Sequence, residues 1–285
     1  MLKRDYMDYH SDRFQDFSLM FFEEDKLVAL IPASLHGNEL RSHGGLTYGG
    51  FITDNSMKQH RMLECFDAVK EFLQSNGVSK LIYKCIPYIY HKQPSEEDLY
   101  ALFVNGANLY KRDISSTINL NVPIKMPKGR KAQISRAQRE GVTIEESEDF
   151  VTFIDLENSV LEEHHGTKAV HTAQELELLK SRFNEEIQLW VAKHNGVTIA
   201  GTLLFIYDNV VHTQYMAANK TAREIGGLDL LIKTLIDKFA TKKQYFDFGI
   251  STENGGKYLN TGLISQKEGF GGRGVVYDFY ELEIK

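Results

Sequence analysis

The sequence predicts an α+β protein, mixed α/β in element order, made of two tandem copies of one unit. Three observations predict it. Strand-like and helix-like apolar periods alternate in the order β-β-β-α-β-α-β, that order occurs twice, and each copy carries a glycine pair ahead of its first striped helix.

In the second half, apolar-rich strands are expected over 187–192, 198–207 and 210–216. Asn195-Gly196 joins the first two as a tight hairpin. Leu228, Leu231, Ile232, Leu235, Ile236 and Phe239 then recur at the spacing that lines one face of a helix. A short strand over 245–248, a helix over 256–266 and a last strand over 274–282 complete the unit.

The first half repeats the pattern. Strands are expected over 17–22 and 27–33, with a weaker one near Leu40, and Gly49-Gly50 precedes a helix striped by Met62, Cys65, Phe66, Val69 and Phe72. Asn76-Gly77 ends that helix, and a strand (81–86), a helix (95–103) and a final strand (109–120) follow. The division falls near Asn121, giving domains 1–122 and 123–285, each a mostly antiparallel central sheet flanked by helices. Helical segments over 150–164 and 172–183 form a connecting layer in the second.

A chain of 285 residues is long enough for two cores, and 42% hydrophobic with 25% charged residues excludes disordered and fibrous classes. No apolar run reaches the ~18 residues a membrane helix needs, and the first residues are too polar for a signal peptide, so a cytoplasmic protein without a membrane span is expected. Cys65 and Cys85, each inside an apolar periodic segment, suit reduced core thiols. A net charge of −6 argues against DNA as a partner. Locally, however, Lys125, Lys128, Arg130, Lys131, Arg136 and Arg139 form a basic run without one acid, able to meet phosphates.

The segment Lys220-Thr-Ala-Arg223-Glu-Ile225-Gly226-Gly227-Leu228 follows a strand and opens the striped helix. Amides at a helix start point outward unpaired, the two glycines let an anion approach the backbone, and Lys220 and Arg223 supply positive charge. A plain glycine-containing turn is the other reading of these residues.

Three antiparallel strands, then Arg-x-x-Gly-Gly at a helix start, then a strand, resemble the GNAT acyltransferase fold. That likeness implies an acyl-CoA pyrophosphate bound by Lys220, Arg223, Ile225, Gly226, Gly227 and Leu228. The family pattern has glycine or alanine where Leu228 stands. Tyr-Phe-Asp-Phe-Gly-Ile-Ser (245–251), Gln-Lys-Glu-Gly-Phe-Gly-Gly (266–272), Glu163-His-His-Gly and Val197-Thr-Ile-Ala-Gly are similar to FemAB-like proteins, whose twin GNAT-like domains this chain matches over nearly its whole length. The resemblance implies acyl transfer to an amine of a small molecule or a cell-envelope precursor, such as a surface-polysaccharide intermediate. Acetyl-CoA or another acyl-CoA is the expected donor, and no metal is needed. The alternatives are aminoacyl transfer from tRNA to a peptidoglycan-type precursor and a degenerate, non-catalytic binding module.

Such chemistry needs a base, a group polarising the carbonyl and a proton source for the leaving group. Lys267 matches the lysine of the Fem-like Phe-Lys-x-x-Phe-Gly ending and is the expected cation at the oxyanion, or else a helix-end lysine. Asp247, alternating with Phe246 and Phe248 on a short strand, is a base or an anchor. GNAT enzymes often take a tyrosine four residues before Gly-Phe as acid; here Ser265 stands there, and Tyr258, Tyr277 or a bound water is the substitute. Tyr48, Tyr90, His91, His165 and His212 are the expected acceptor contacts; the other reading is tight turns and aromatic packing for the first three and solvated or core-satisfied histidines for the last two. No histidine pair has metal-ligand spacing.

Overall fold

A computed structural model describes residues 1–285, the side chains of His164 and His165 excepted. In chain order the first elements are α1 (Arg4–Asp8), β1 (Gln15–Asp16), β2 (Leu19–Glu23), β3 (Lys26–Ile31), β4 (Ser34–His36), β5 (Glu39–Arg41) and β6 (Ile52–Thr53). Next come α2 (Gln59–Ser75), β7 (Lys80–Lys84), α3 (Glu97–Val104), β8 (Asn108–Asn119), α4 (Lys128–Arg139), β9 (Thr143–Ser147), α5 (Phe150–His165) and α6 (Ala173–Arg182). The chain continues through β10 (Ile187–His194), β11 (Val197–Ile206), β12 (Val210–Ala218), α7 (Lys220–Ile225) and α8 (Gly227–Phe239). It ends with β13 (Tyr245–Ile250), β14 (Thr252–Glu253), β15 (Tyr258–Leu259), α9 (Thr261–Glu268) and β16 (Arg273–Glu283). The α+β class expected from the sequence is the class observed.

Two compact units form. One contains Met1–Ile114, Thr252–Tyr258 and Val276–Lys285; the other contains Ser115–Ser251 and Leu259–Val275. The sequence division at 122/123 treats each copy as contiguous, whereas the chain returns to the first unit twice. The reason lies in strand pairing: β16 lies antiparallel to β7, from Phe279 opposite Lys84 to Glu283 opposite Lys80.

In the first unit the sheet order is β1-β4-β5-β7-β16-β8, with a separate sheet β2-β3-β6. Helix α2 buries Met62, Cys65, Phe66, Val69 and Leu73. Phe72, expected in that stripe, is exposed, and Leu73, four residues after Val69, takes the inward position. Cys65 and Cys85 are free and buried, as expected for core thiols.

In the second unit the order is β8-β13-β12-β11-β10-β9. β10, β11 and β12 form the expected antiparallel meander, turned at Asn195-Gly196 with both residues in the left-handed region (φ 51° and 78°). Helix α8 covers this sheet because its apolar stripe, from Leu228 to Phe239, is buried against β10, β11 and β12. β9, α7 and the helical form of the basic run were not read from sequence. The helix expected over 256–266 starts only at Thr261. Upstream, Gly256 has φ 85°, and a Cβ there would lie 2.1 Å from the Arg112 carbonyl oxygen, so the chain turns through the β14–β15 hairpin first. Among the described residues no helix is long and apolar enough to cross a membrane.

Candidate active site

Strands β12 and β13 run parallel for three residue pairs: Val210 with Tyr245, Val211 with Phe246, His212 with Asp247. Beyond that last pair they part. β12 continues to Ala218 against β11, while β13 bulges between Asp247 and Ile250 and pairs with β8 at Ser115. Gly249, at φ 71°, permits the bulge. His212 and Asp247 therefore stand at the vertex of an opening between two parallel strands.

Asp247 is fully buried, which alone would push its carboxyl up; three donors reverse the effect. His212 Nδ1 lies 2.7 Å from Oδ2, while Ser115 Oγ and Thr117 Oγ1 donate to Oδ1 at 2.5 and 2.6 Å. These bonds and the imidazole hold the carboxyl below its ordinary value, so it is an anion that accepts from Nδ1. His212 Nε2 is the nitrogen not committed to Asp247. Phe246 and Phe248 point the other way into the core, where Phe248 stacks on Phe270 with centroids 5.7 Å apart. The alternation expected for Asp247 is thus the one found. Its hydroxyl partners escaped sequence reasoning, although Ser115 and Thr117 alternate on an expected strand.

Helix α9 delivers Lys267 to the same place. The Asn260 side chain caps the helix by accepting from Leu263 N, and the Asn260 amide donates to Ser251 O just past β13. Lys267 is 3% exposed and donates through Nζ to Ile250 O at 2.6 Å and to Gly249 O at 2.9 Å. Burial pushes its ammonium down to about 8, an effect Asp247 opposes. The exposed helix-end reading of this lysine does not hold, because it turns inward to the bulge carbonyls.

At the far end of β12, Asn219 caps α7, and Gly226, at φ 82°, redirects the chain into α8. Lys220 and Arg223 are exposed on α7, and Arg223 lies 3.3 Å from Glu163. Ile225, Gly226, Gly227 and Leu228 are buried. Helix α4 rests on this turn: a Cβ on Gly226 would lie 2.4 Å from the Gln133 carbonyl oxygen, and Arg130 pairs with Asp229 in the first turn of α8. Packing of α4 by itself accounts for glycine at 226.

The other expected residues belong to other elements. In the first unit Tyr48 is buried and packs against Tyr90 with tilted rings, centroids 4.4 Å apart, and the Tyr90 hydroxyl meets that of Tyr277 at 3.2 Å. His91 bonds to the Ile86 carbonyl at 3.0 Å. Tyr48, Tyr90 and Tyr277 thus form an aromatic cluster. Tyr258 is 53% exposed on β15, in the first unit. The side chain of His165 lies outside the described residues. His171 Nδ1 meets the Tyr215 hydroxyl at 2.7 Å, a pair that sequence reading did not join. Among the described residues no group of three or more His, Cys, Asp or Glu is placed to hold a metal.

Residues 128–258 match the family described as acetyltransferase (GNAT) domain. No curated protein matches the chain by sequence. Among solved structures, FemX is similar over 96% of this chain and 90% of its own, with TM-score 0.70 and 12% identity. The C-terminal domain of a putative lysylphosphatidylglycerol synthetase from Agrobacterium fabrum is similar over 98% and 92%, with TM-score 0.63 and 14% identity. A tandem GNAT protein from the clavulanic acid biosynthesis pathway covers 98% and 87%, with TM-score 0.52 and 11% identity. A sheet whose parallel strands part at a His–Asp pair, a helix start following the open strand, and these likenesses together identify the chain as a protein of the GNAT, FemAB-like fold.

Proposed function

We propose that the protein is an N-acyltransferase that moves an acyl group from acyl-CoA to an amine, on a small molecule or a cell-envelope precursor. The observation that carries this reading is the buried His212–Asp247 pair at the vertex where β12 and β13 part, with the Lys267 ammonium held at the adjoining bulge. The GNAT domain match supports the acyl-transfer class. One structural neighbour is named for lysylphosphatidylglycerol, a name that joins an aminoacyl group to a membrane phospholipid, and it supports an envelope acceptor.

In this mechanism the amine nitrogen attacks the thioester carbonyl carbon. The C–N bond forms, and the nitrogen gives up a proton to His212 Nε2 while Asp247 holds the ring and stabilises the imidazolium. The C–S bond then breaks and the proton passes to the departing thiolate, so the products are an amide and free CoA. Lys267 adds positive charge beside the developing oxyanion. The exposed Lys220 and Arg223 face a pyrophosphate reaching the α7–α8 turn.

The test is release of free thiol from a panel of acyl-CoAs in the presence of primary amines. Thiol release that depends on the amine and falls by ~10²-fold or more in His212→Ala supports the reading. No CoA binding and no thioester loss with any pair sinks it.

A second reading, transfer from aminoacyl-tRNA, is favoured by one observation. Lys125, Lys128, Lys131, Arg136 and Arg139 are exposed on and before α4, a helix that packs against the α7–α8 turn. RNA binding that weakens steeply with salt, together with absence of CoA binding, selects it over the first.

A further inference from the structure

Glu157 lies on α5, is 6% exposed, and its Oε2 has no hydrogen-bond partner. Burial pushes its carboxyl up to about 7, with no compensating cation among the described residues. A buried polar atom without a partner destabilises the fold, and a methionine of similar length would fill the space at no such cost. Packing therefore gives no reason for a carboxyl here.

Its position does give one. Phe153, one turn earlier on α5, presses on β11, where a Cβ on Gly201 would lie 2.6 Å from its ring. Glu157 thus turns to the same sheet. On β12 the register shifts between the pairs Leu204 with Thr213 and Leu203 with Tyr215, whereas His212 pairs with Phe205. Phe205 and Leu203 share a face, so the bulge returns Tyr215 to the face of His212, roughly 7 Å further along the strand. Without the bulge, residues three apart would face opposite sides. Burial, with the charge of the Glu157 carboxyl adding to it, pushes the Tyr215 hydroxyl up to about 12; the hydroxyl meets His171 Nδ1, and α5 packs on β12. One face of the open strand therefore carries His212 at the vertex and a tyrosine beside an unpaired carboxyl one step outward.

We propose that Glu157 is the recognition group for the ammonium end of the acceptor, held between α5 and the open end of β12 beside Tyr215, so that the acceptor binds as a protonated amine with N–H to donate. Calling this ligand the acceptor rests on the acyl-transfer reading; the ammonium site itself does not. An ammonium must lose one proton before it can attack. Here its N–H bond breaks and an O–H bond forms on the Glu157 carboxylate, leaving the nitrogen lone pair free. The second proton leaves at the attack step through His212.

The experiment is carboxyl-carbon NMR of the glutamate-labelled protein, titrated with pH alone, with methylammonium, and with tetramethylammonium, which has charge but no N–H. The expected result is that methylammonium lowers the Glu157 midpoint by about one pH unit, a tenfold change in proton affinity. Tetramethylammonium should leave it in place. Glu157→Gln, close in size and free of the buried charge, should fold and lose methylammonium binding, and Glu157→Asp should recover part of it. An unmoved midpoint with both cations, or equal methylammonium binding by Glu157→Gln, overturns the proposal. Acyl-CoA turnover is scored separately. Methylammonium bound through Glu157 without thioester loss leaves the ammonium site standing and removes the transfer reading. Transfer with an unchanged KM for the amine in Glu157→Gln does the opposite.

Discussion

Lys267 Nζ reaches Ile250 O at 2.6 Å, tying the last turn of α9 to the strand end that leaves β12. An ammonium satisfied by carbonyl oxygens is held in place without a carboxylate contact, and the proposed mechanism uses its charge at the developing oxyanion. The burial that achieves this has a pH signature. With the native value near 8 and the ordinary one at 10.5, the unfolded chain holds a proton between those values that the native state has lost. Stability supplied by this group therefore rises with pH across that window. Lys267→Met removes the rise. Urea unfolding at pH 8 and pH 10.5 should show wild type gaining on the variant by on the order of 3 kcal/mol. Parallel pH profiles for the two proteins would contradict the burial.

Asp247 gathers bonds from three side chains contributed by β8 and β12. An asparagine there offers one acceptor oxygen and no charge, and it leaves His212 without its anion. Asp247→Asn is expected to cost about 3 kcal/mol, the scale for breaking a buried charged pair, measured by denaturant unfolding. Transfer should fall by ~10²-fold or more at a pH where the variant remains folded. Ser115→Ala, which removes one of three donors, should cost only about 1 kcal/mol and leave the carboxylate oriented.

Local pattern disclosed α8, the meander and the alternation that sets Asp247 on the face opposite Phe246 and Phe248, because each follows from a period of 3.6 or 2 within a few residues. His212 and Asp247 were both picked out, but their partnership was hidden, since nothing local says that β12 and β13 run parallel and in that register. Ser115 and Thr117 are more than a hundred residues from Asp247 and join it only through β8. Glu157 did leave a trace. Phe150, Phe153, Ile154 and Glu157 share one helical face and are buried, so an acid stands where the period asks for an apolar residue. The late start of α9 was missed because Gly256 reads as tolerable at a helix start, while Asn260 carries the capping signal.

That cap supplies a prediction of its own. Asn260 satisfies the Leu263 amide with its side chain and reaches Ser251 with its backbone, so it fixes both where α9 begins and where Lys267 ends. Asn260→Ala should destabilise the protein by about 1 kcal/mol in chemical unfolding. The Lys267 midpoint, followed by NMR of its terminal carbon, should move from about 8 toward 10.5 as the helix end loosens. An unmoved midpoint would mean that β13, rather than the cap, positions the lysine.

Gly226 separates structural from ligand-binding demands at the α7–α8 turn. Its φ of 82° disfavours any side chain, and a Cβ would lie 2.4 Å from the Gln133 carbonyl oxygen, a backbone atom that moves only with α4. Gly226→Ala is therefore expected to destabilise the free protein by at least 1–3 kcal/mol, with no ligand present. Gly227→Ala meets instead the tip of Ile199, at 2.8 Å, and has no positive φ, so the smaller loss belongs there. If both glycines serve packing, acyl-CoA affinity per folded molecule stays near wild type in each variant, read by calorimetry below their melting temperatures. A loss of affinity in Gly227→Ala, the more stable of the two, would instead mark the start of α8 as a phosphate contact.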